Sequence, residues 1–138
     1  MKALKIEKSS RGPEVIFDID KGVYKMKYDS RPENVRKFYY PIIESLNAGL
    51  AELVDTGKAD AFKENPFLFS FKLGYFNSSS AKLILDIMNI ARIFFEKGLN
   101  ILVEWHYQDD DEDMMEAGED FADFCEMEFK FIESDEDF

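Results

Sequence analysis

Phe67-Leu68-Phe69-Ser70-Phe71-Lys72-Leu73-Gly74-Tyr75-Phe76-Asn77-Ser78-Ser79-Ser80 is the stretch that decides the fold. Phe67, Phe69, Phe71, Leu73 and Tyr75 alternate with period two, the pattern of a strand with one face in a core. Directly after the serines, Leu83, Ile84, Ile87, Ile90, Ala91 and Phe94 recur at helical spacing. The Asn77-Ser78-Ser79-Ser80 turn is therefore a helix N-terminus, where backbone N–H groups lack intrahelical acceptors and the macrodipole favours negative charge. A hydroxyl there either caps the helix or accepts a phosphate, and capping is the commoner use of serine in such a place. Lys82, one turn beyond Ser78, has the spacing to face a phosphate.

Upstream, Glu14–Ile19 and Val23–Tyr28 both alternate, and Asp20-Lys21-Gly22 between them reads as the turn of a β-hairpin. Ser30-Arg31-Pro32-Glu33 has the form of a capping box with Pro in the first turn. Val35, Phe38, Ile42, Leu46, Leu50 and Leu53 then make one apolar stripe. Pro41 should interrupt that helix and kink it, because its ring blocks the bond to the carbonyl four residues back. Asp55–Pro66 reads as a polar loop. Downstream, the serine-headed helix ends at Lys97-Gly98, and Leu99–Tyr107 is a further apolar strand. An acidic turn, Asp109–Asp113, leads into a short helix over Met114–Phe124. Met127–Phe131 is a last strand, and Glu133–Phe138 an acidic tail. Strand–helix–strand units favour right-handed crossovers and parallel pairing. The expectation is one α/β domain over residues 1–138, a mixed and mostly parallel sheet with an opening hairpin and helices mainly on one face.

At 46% hydrophobic residues with 14 Phe, the chain can bury a core without a metal or disulfide staple. Cys125 is the only cysteine, which suits a reducing compartment. Met1–Ile6 has a positive start but no apolar segment follows, and no apolar run has the length a bilayer requires. A cytoplasmic location is the simplest expectation. The net charge of −12 repels phosphate backbones and anionic lipid, so neither nucleic acid nor a membrane surface is an expected partner.

Asp109, Asp111 and Asp113 have the alternating spacing of a calcium loop, but Met114 stands where that loop needs Gly and Asp120 where it needs a bidentate Glu. No metal and no cofactor are expected. With Glu112, Glu116 and Glu119 these carboxylates form an acidic face that offers an alternative role, a protein-binding module acting through residues 109–120. His106 is the only histidine and has no nucleophile beside it in sequence. The acidic, apolar surroundings of Cys125 raise its pKa and make it a poor nucleophile. Gly-rich phosphate loops and Gly-x-Ser-x-Gly elbows are both absent from the sequence, and nothing in it supports an enzyme.

Four blocks carry a resemblance. They are Ser30-Arg31-Pro32-Glu33-Asn34 with Phe38-Tyr39-Tyr40-Pro41-Ile42, then Tyr75–Lys82 with Leu85-Asp86-Ile87, then Val103-Glu104-Trp105-His106-Tyr107, then Asp113–Phe121. In this order, between about Pro13 and Phe131, they resemble the SiaC-like regulatory phosphoproteins, a small non-enzymatic family that looks like the STAS domain of anti-sigma-factor antagonists. The resemblance implies a partner-switching cycle. A kinase would phosphorylate the hydroxyl after the Asn, a metal-dependent PP2C-type phosphatase would remove the phosphate, and the unphosphorylated form would activate a diguanylate cyclase, raising cyclic-di-GMP and favouring biofilm or aggregation. The family usually has Thr at the phosphorylated position; here it is Ser78, with Ser79 the alternative. Asn77, Ser79, Ser80 and Lys82 are its surroundings. Asp109, Asp111, Asp113, Glu116 and Glu119 are candidate partner-binding residues.

Overall fold

Phe67–Phe76 is a strand (β4) and Ser78–Glu96 the helix that leaves it (α2), followed by the strand Ile101–Gln108 (β5). β4 and β5 pair in parallel, with Phe69 opposite Val103 and Phe71 opposite Trp105. The computed structural model describes residues 3–138. Around that unit the same step is repeated on either side. β3 (Val23–Ser30), helix α1 (Val35–Asp55) and β4 form one parallel crossover; β5, helix α3 (Glu112–Cys125) and β6 (Phe129–Ser134) form another. β2 (Glu14–Asp18) pairs antiparallel with β3 as the expected hairpin. With Ala3–Ile6 as β1, the strands lie in the order β1-β2-β3-β4-β5-β6, a mixed and mostly parallel sheet. Crossovers of one hand that all step the same way across a sheet put their helices on the same face. α1 packs on α2, and α2 on α3.

One hydrophobic core lies between that helical layer and the sheet. Phe17, Tyr24, Met26, Phe67, Phe69, Phe71, Leu73 and Trp105 enter it from the strands, and Ile42, Leu46, Leu50, Ile84, Ile87 and Met88 from the helices. Burial on this scale is the main stabilising term, at about 1.5–3 kcal/mol for each large side chain before the entropy of ordering is subtracted. Gly118 lets α3 lie directly on the Trp105 ring, and the indole Nε1 donates to the Met114 carbonyl oxygen at 2.9 Å.

Several expectations change. Ala3–Ile6 is an edge strand, β1, antiparallel to β2, which its short and lysine-flanked sequence does not announce. The capping box at Ser30 does not form, because Ser30 is the last residue of β3 and its hydroxyl is engaged in the interior. Asn34 caps α1 instead, its side chain accepting from the Lys37 N–H at 3.1 Å. α1 runs through Pro41 without interruption. Lys37, whose carbonyl loses its partner there, is exposed to water. The loop after α1 contains a 3-10 turn, Lys58–Phe62, and Phe62 packs against Phe67. Finally, Tyr75 does not continue the buried stripe of β4 but stands 47% exposed. Lys27 pairs with Lys72 and Asp29 with Tyr75, so β4 has one extra residue there. Such a bulge flips the alternation. Phe76 therefore turns inward onto Trp105 and Phe121.

Candidate functional site: the serine turn at the head of α2

β3 and β4 are parallel neighbours, so the helices that follow them start side by side at the same edge of the sheet. Asn77 (φ −85°, ψ 172°) caps α2, its side-chain oxygen accepting from the Ser80 N–H at 2.9 Å. Its own N–H donates to the Ser30 carbonyl at 3.2 Å, which ties the turn to the end of β3. Because Asn77 is the cap, the serine hydroxyls are released from that task.

The three serines then differ. Ser80 is 0% exposed. Its hydroxyl accepts from Ser30 Oγ at 3.0 Å and donates to the Ser30 carbonyl at 3.1 Å. Ser30 Oγ is also bonded to the Tyr39 hydroxyl. The Tyr39 phenol is pushed up to about 12, chiefly by burial, and stays neutral. This hydroxyl cluster pins the heads of α1 and α2 to β3. Ser78 and Ser79, by contrast, are exposed. They line a cleft of about 410 Å3 between the two helix heads, together with Arg36 and Tyr40 of α1 and Lys82 and Asp86 of α2. Lys82 Nζ lies 3.7 Å from Asp86 Oδ2 in an exposed pair, weak enough for the ammonium to be drawn elsewhere. Arg36 has no counterpart in the sequence reading, since only the packing of α1 on α2 brings it to the serines.

The other candidates lie apart from this cleft. Asp111 turns inward as the cap of α3, accepting from the Met114 N–H at 3.0 Å, so it is half-buried and α3 begins at Glu112 rather than Met114. Asp109, Asp113, Glu116 and Glu119 are exposed, while Met114, Phe121 and Cys125 form the inner face of α3. Among the described residues, no three His, Cys, Asp or Glu side chains are grouped so that they could hold a metal ion. Cys125 is buried, and burial pushes its thiol up. His106 faces the side of the sheet away from the helices. Its pKa is lowered, with burial the largest cause, opposed by the hydrogen bond to Glu104 at 3.3 Å. Among the described residues, no helix is long and apolar enough to cross a membrane.

The fold is thus a mixed α/β sheet with a one-sided helical layer, with hydroxyls and two cations, Arg36 and Lys82, at the head of α2. Residues 6–134 match the SiaC family of regulatory phosphoproteins, and the chain belongs to that family. It is 26% identical over 136 residues to an uncharacterized protein of Pseudomonas aeruginosa, covering 99% of this chain and 100% of the relative. Solved structures share the fold, two of them as follows. One is the crystal structure of the diguanylate cyclase SiaD in complex with its activator SiaC from Pseudomonas aeruginosa, with a TM-score of 0.80 and 25% identity over 95% of this chain and 99% of the matched one. The other is apo-SiaC from the same organism, with a TM-score of 0.76 and 25% identity over 97% and 99% of the two chains.

Proposed function

We propose that this chain is a phosphorylation-controlled activator of a diguanylate cyclase, with Ser78 as the phosphoacceptor. It would act by binding rather than by catalysis. The observation that carries this reading is the division of labour in the turn: Asn77 caps, Ser80 is buried, and Ser78 is left exposed as the first residue of α2. Membership of a regulatory phosphoprotein family and the likeness to SiaC, described as the activator in its complex with SiaD, support it. By the same resemblance a kinase and a PP2C-type phosphatase set the phosphorylation state, and the arrangement is STAS-like.

A phosphate adds about −1.5 to −2 charge. At a helix N-terminus the dipole favours it by about 0.3–1 kcal/mol, and Arg36 and Lys82 are at hand to pair with it. The fold should therefore survive the modification. At a docked surface the same charge must be desolvated or repelled, which costs several kcal/mol. Binding should change far more than stability.

The test pairs intact-mass spectrometry of protein from its own host with calorimetric titration against a diguanylate cyclase from that host. Ser78→Ala should bind constitutively. Ser78→Asp should bind at least tenfold more weakly and melt near wild type, the tenfold corresponding to about 1.4 kcal/mol. Wild-type affinity in Ser78→Asp, or phosphate mapped only to Ser79, would refute the assignment.

A further inference from the structure

The sheet face away from the helices is crossed by the chain's own last described residues. Lys27 of β3, Lys72 of β4 and His106 of β5 form one row across that face, and in the next row lie Lys25, Ser70, Glu104 and Lys130. In a chain of net charge −12 the lysines of these two rows are a local concentration of cations, with the neutral His106 and the carboxylate of Glu104 among them. Residues 135–138, Asp-Glu-Asp-Phe, leave β6 and reach residues of β5, β4 and β3. Glu136 bonds Lys27 Nζ at 2.7 Å and lies 4.0 Å from Lys72 Nζ. Gln108 Nε2 donates to the Glu136 carbonyl at 3.2 Å and to Asp137 Oδ1 at 3.0 Å. At the far end a Cβ on Gly74 would overlap the Phe138 carbonyl, so this glycine makes room for the strap's backbone. Asp137 and Phe138 line a cleft of about 480 Å3 with Lys8, Tyr28, Asp29 and Arg31, where Arg31 also lies 3.9 Å from Asp29.

We infer that this face is a second interaction surface, one that takes an acidic segment of a partner protein and is filled in the resting chain by the strap 135–138. The inference does not depend on phosphorylation of Ser78. Its basis is charge complementarity together with an acidic peptide already seated: Lys27 and Lys72 pair with Glu136, and Lys8 and Arg31 line the cleft that holds Asp137. The strap is held mainly by exposed ion pairs, each weak on its own. What keeps it in place is its tether, which acts as an effective concentration of the order of millimolar. A competing segment of similar chemistry displaces it once it offers more contacts than four residues can.

The test is fluorescence anisotropy at low salt with a labelled peptide, Glu-Ser-Asp-Glu-Asp-Phe, as the probe. The chain truncated after Ser134 should bind the probe roughly tenfold more tightly than the full chain or better, and full-length Glu136→Lys should also bind it more tightly. Lys27→Met with Lys72→Met in the truncated chain keeps the side-chain stems and should abolish binding with little change in melting temperature. Equal affinity of full and truncated chains, or binding that survives loss of both lysines, would overturn the inference. Concentration-dependent dimerisation of the full chain that disappears on truncation would make the occupant a second copy, and would overturn the assignment to a different partner.

Discussion

Three consecutive serines stand in one turn, and their surroundings bury the third and leave the first two exposed. Ser80 closes a hydroxyl cluster with Ser30 and Tyr39 in the interior. Replacing it by Ala leaves a buried hydroxyl short of a partner and should cost about 1–3 kcal/mol in urea denaturation. Ser78→Ala and Ser79→Ala touch only exposed groups and should stay within about 0.5 kcal/mol of wild type. Kinase treatment of the folded protein should leave Ser80 unmodified, as checked by phosphopeptide mapping. The sequence shows the turn, because Asn-Ser-Ser-Ser between two periodicities has a local signature. It does not show which serine is buried. That depends on where β3 stops, and the Ser30-x-x-Glu33 pattern there suggests a helix cap although the hydroxyl is used elsewhere.

At the level of elements, periodicity was a reliable guide wherever the period held. β4, α2 and the stripe of α1 coincide with the alternation and the helical repeat of their sequences. Tyr75 departs from its stripe because a bulge is a property of two strands together, opposite Lys27 and Asp29, and not of β4 alone. β1 is four residues long and has too few repeats to be seen. Helix starts turn on single side chains. Asn77→Ala should lower stability by about 0.5–2 kcal/mol, measured by thermal melting, and fray the turn that presents Ser78. Gly118→Ala sets a methyl against the Trp105 ring and should cost about 1–3 kcal/mol while shifting the tryptophan emission.

The molecule as a whole should respond to mild acid through His106. Its side chain is 11% exposed and faces Glu104, Lys72 and, from the strap, Glu136. Burial holds its folded pKa below the ordinary value near 6.5. Its contribution to stability is therefore complete above about pH 6.5 and is lost as the pH falls toward the lowered folded value, where the unfolded chain binds the proton first. The melting temperature should drop as the pH is lowered through about 6.5, and His106→Gln should flatten that drop. Glu136 acts in a different window. Lys27 lowers its pKa, so the strap's hold on the sheet weakens only at more acid pH, as its carboxylate is protonated. The strand order has a consequence of another kind. Because every strand neighbours the one before it in sequence, each strand emerging from the ribosome finds its partner already made. The sheet can be laid down from N- to C-terminus during synthesis, with little waiting for distant segments. The strap follows β6, so the lysine face is complete and open to a neighbour for the moment before residues 135–138 can cover it.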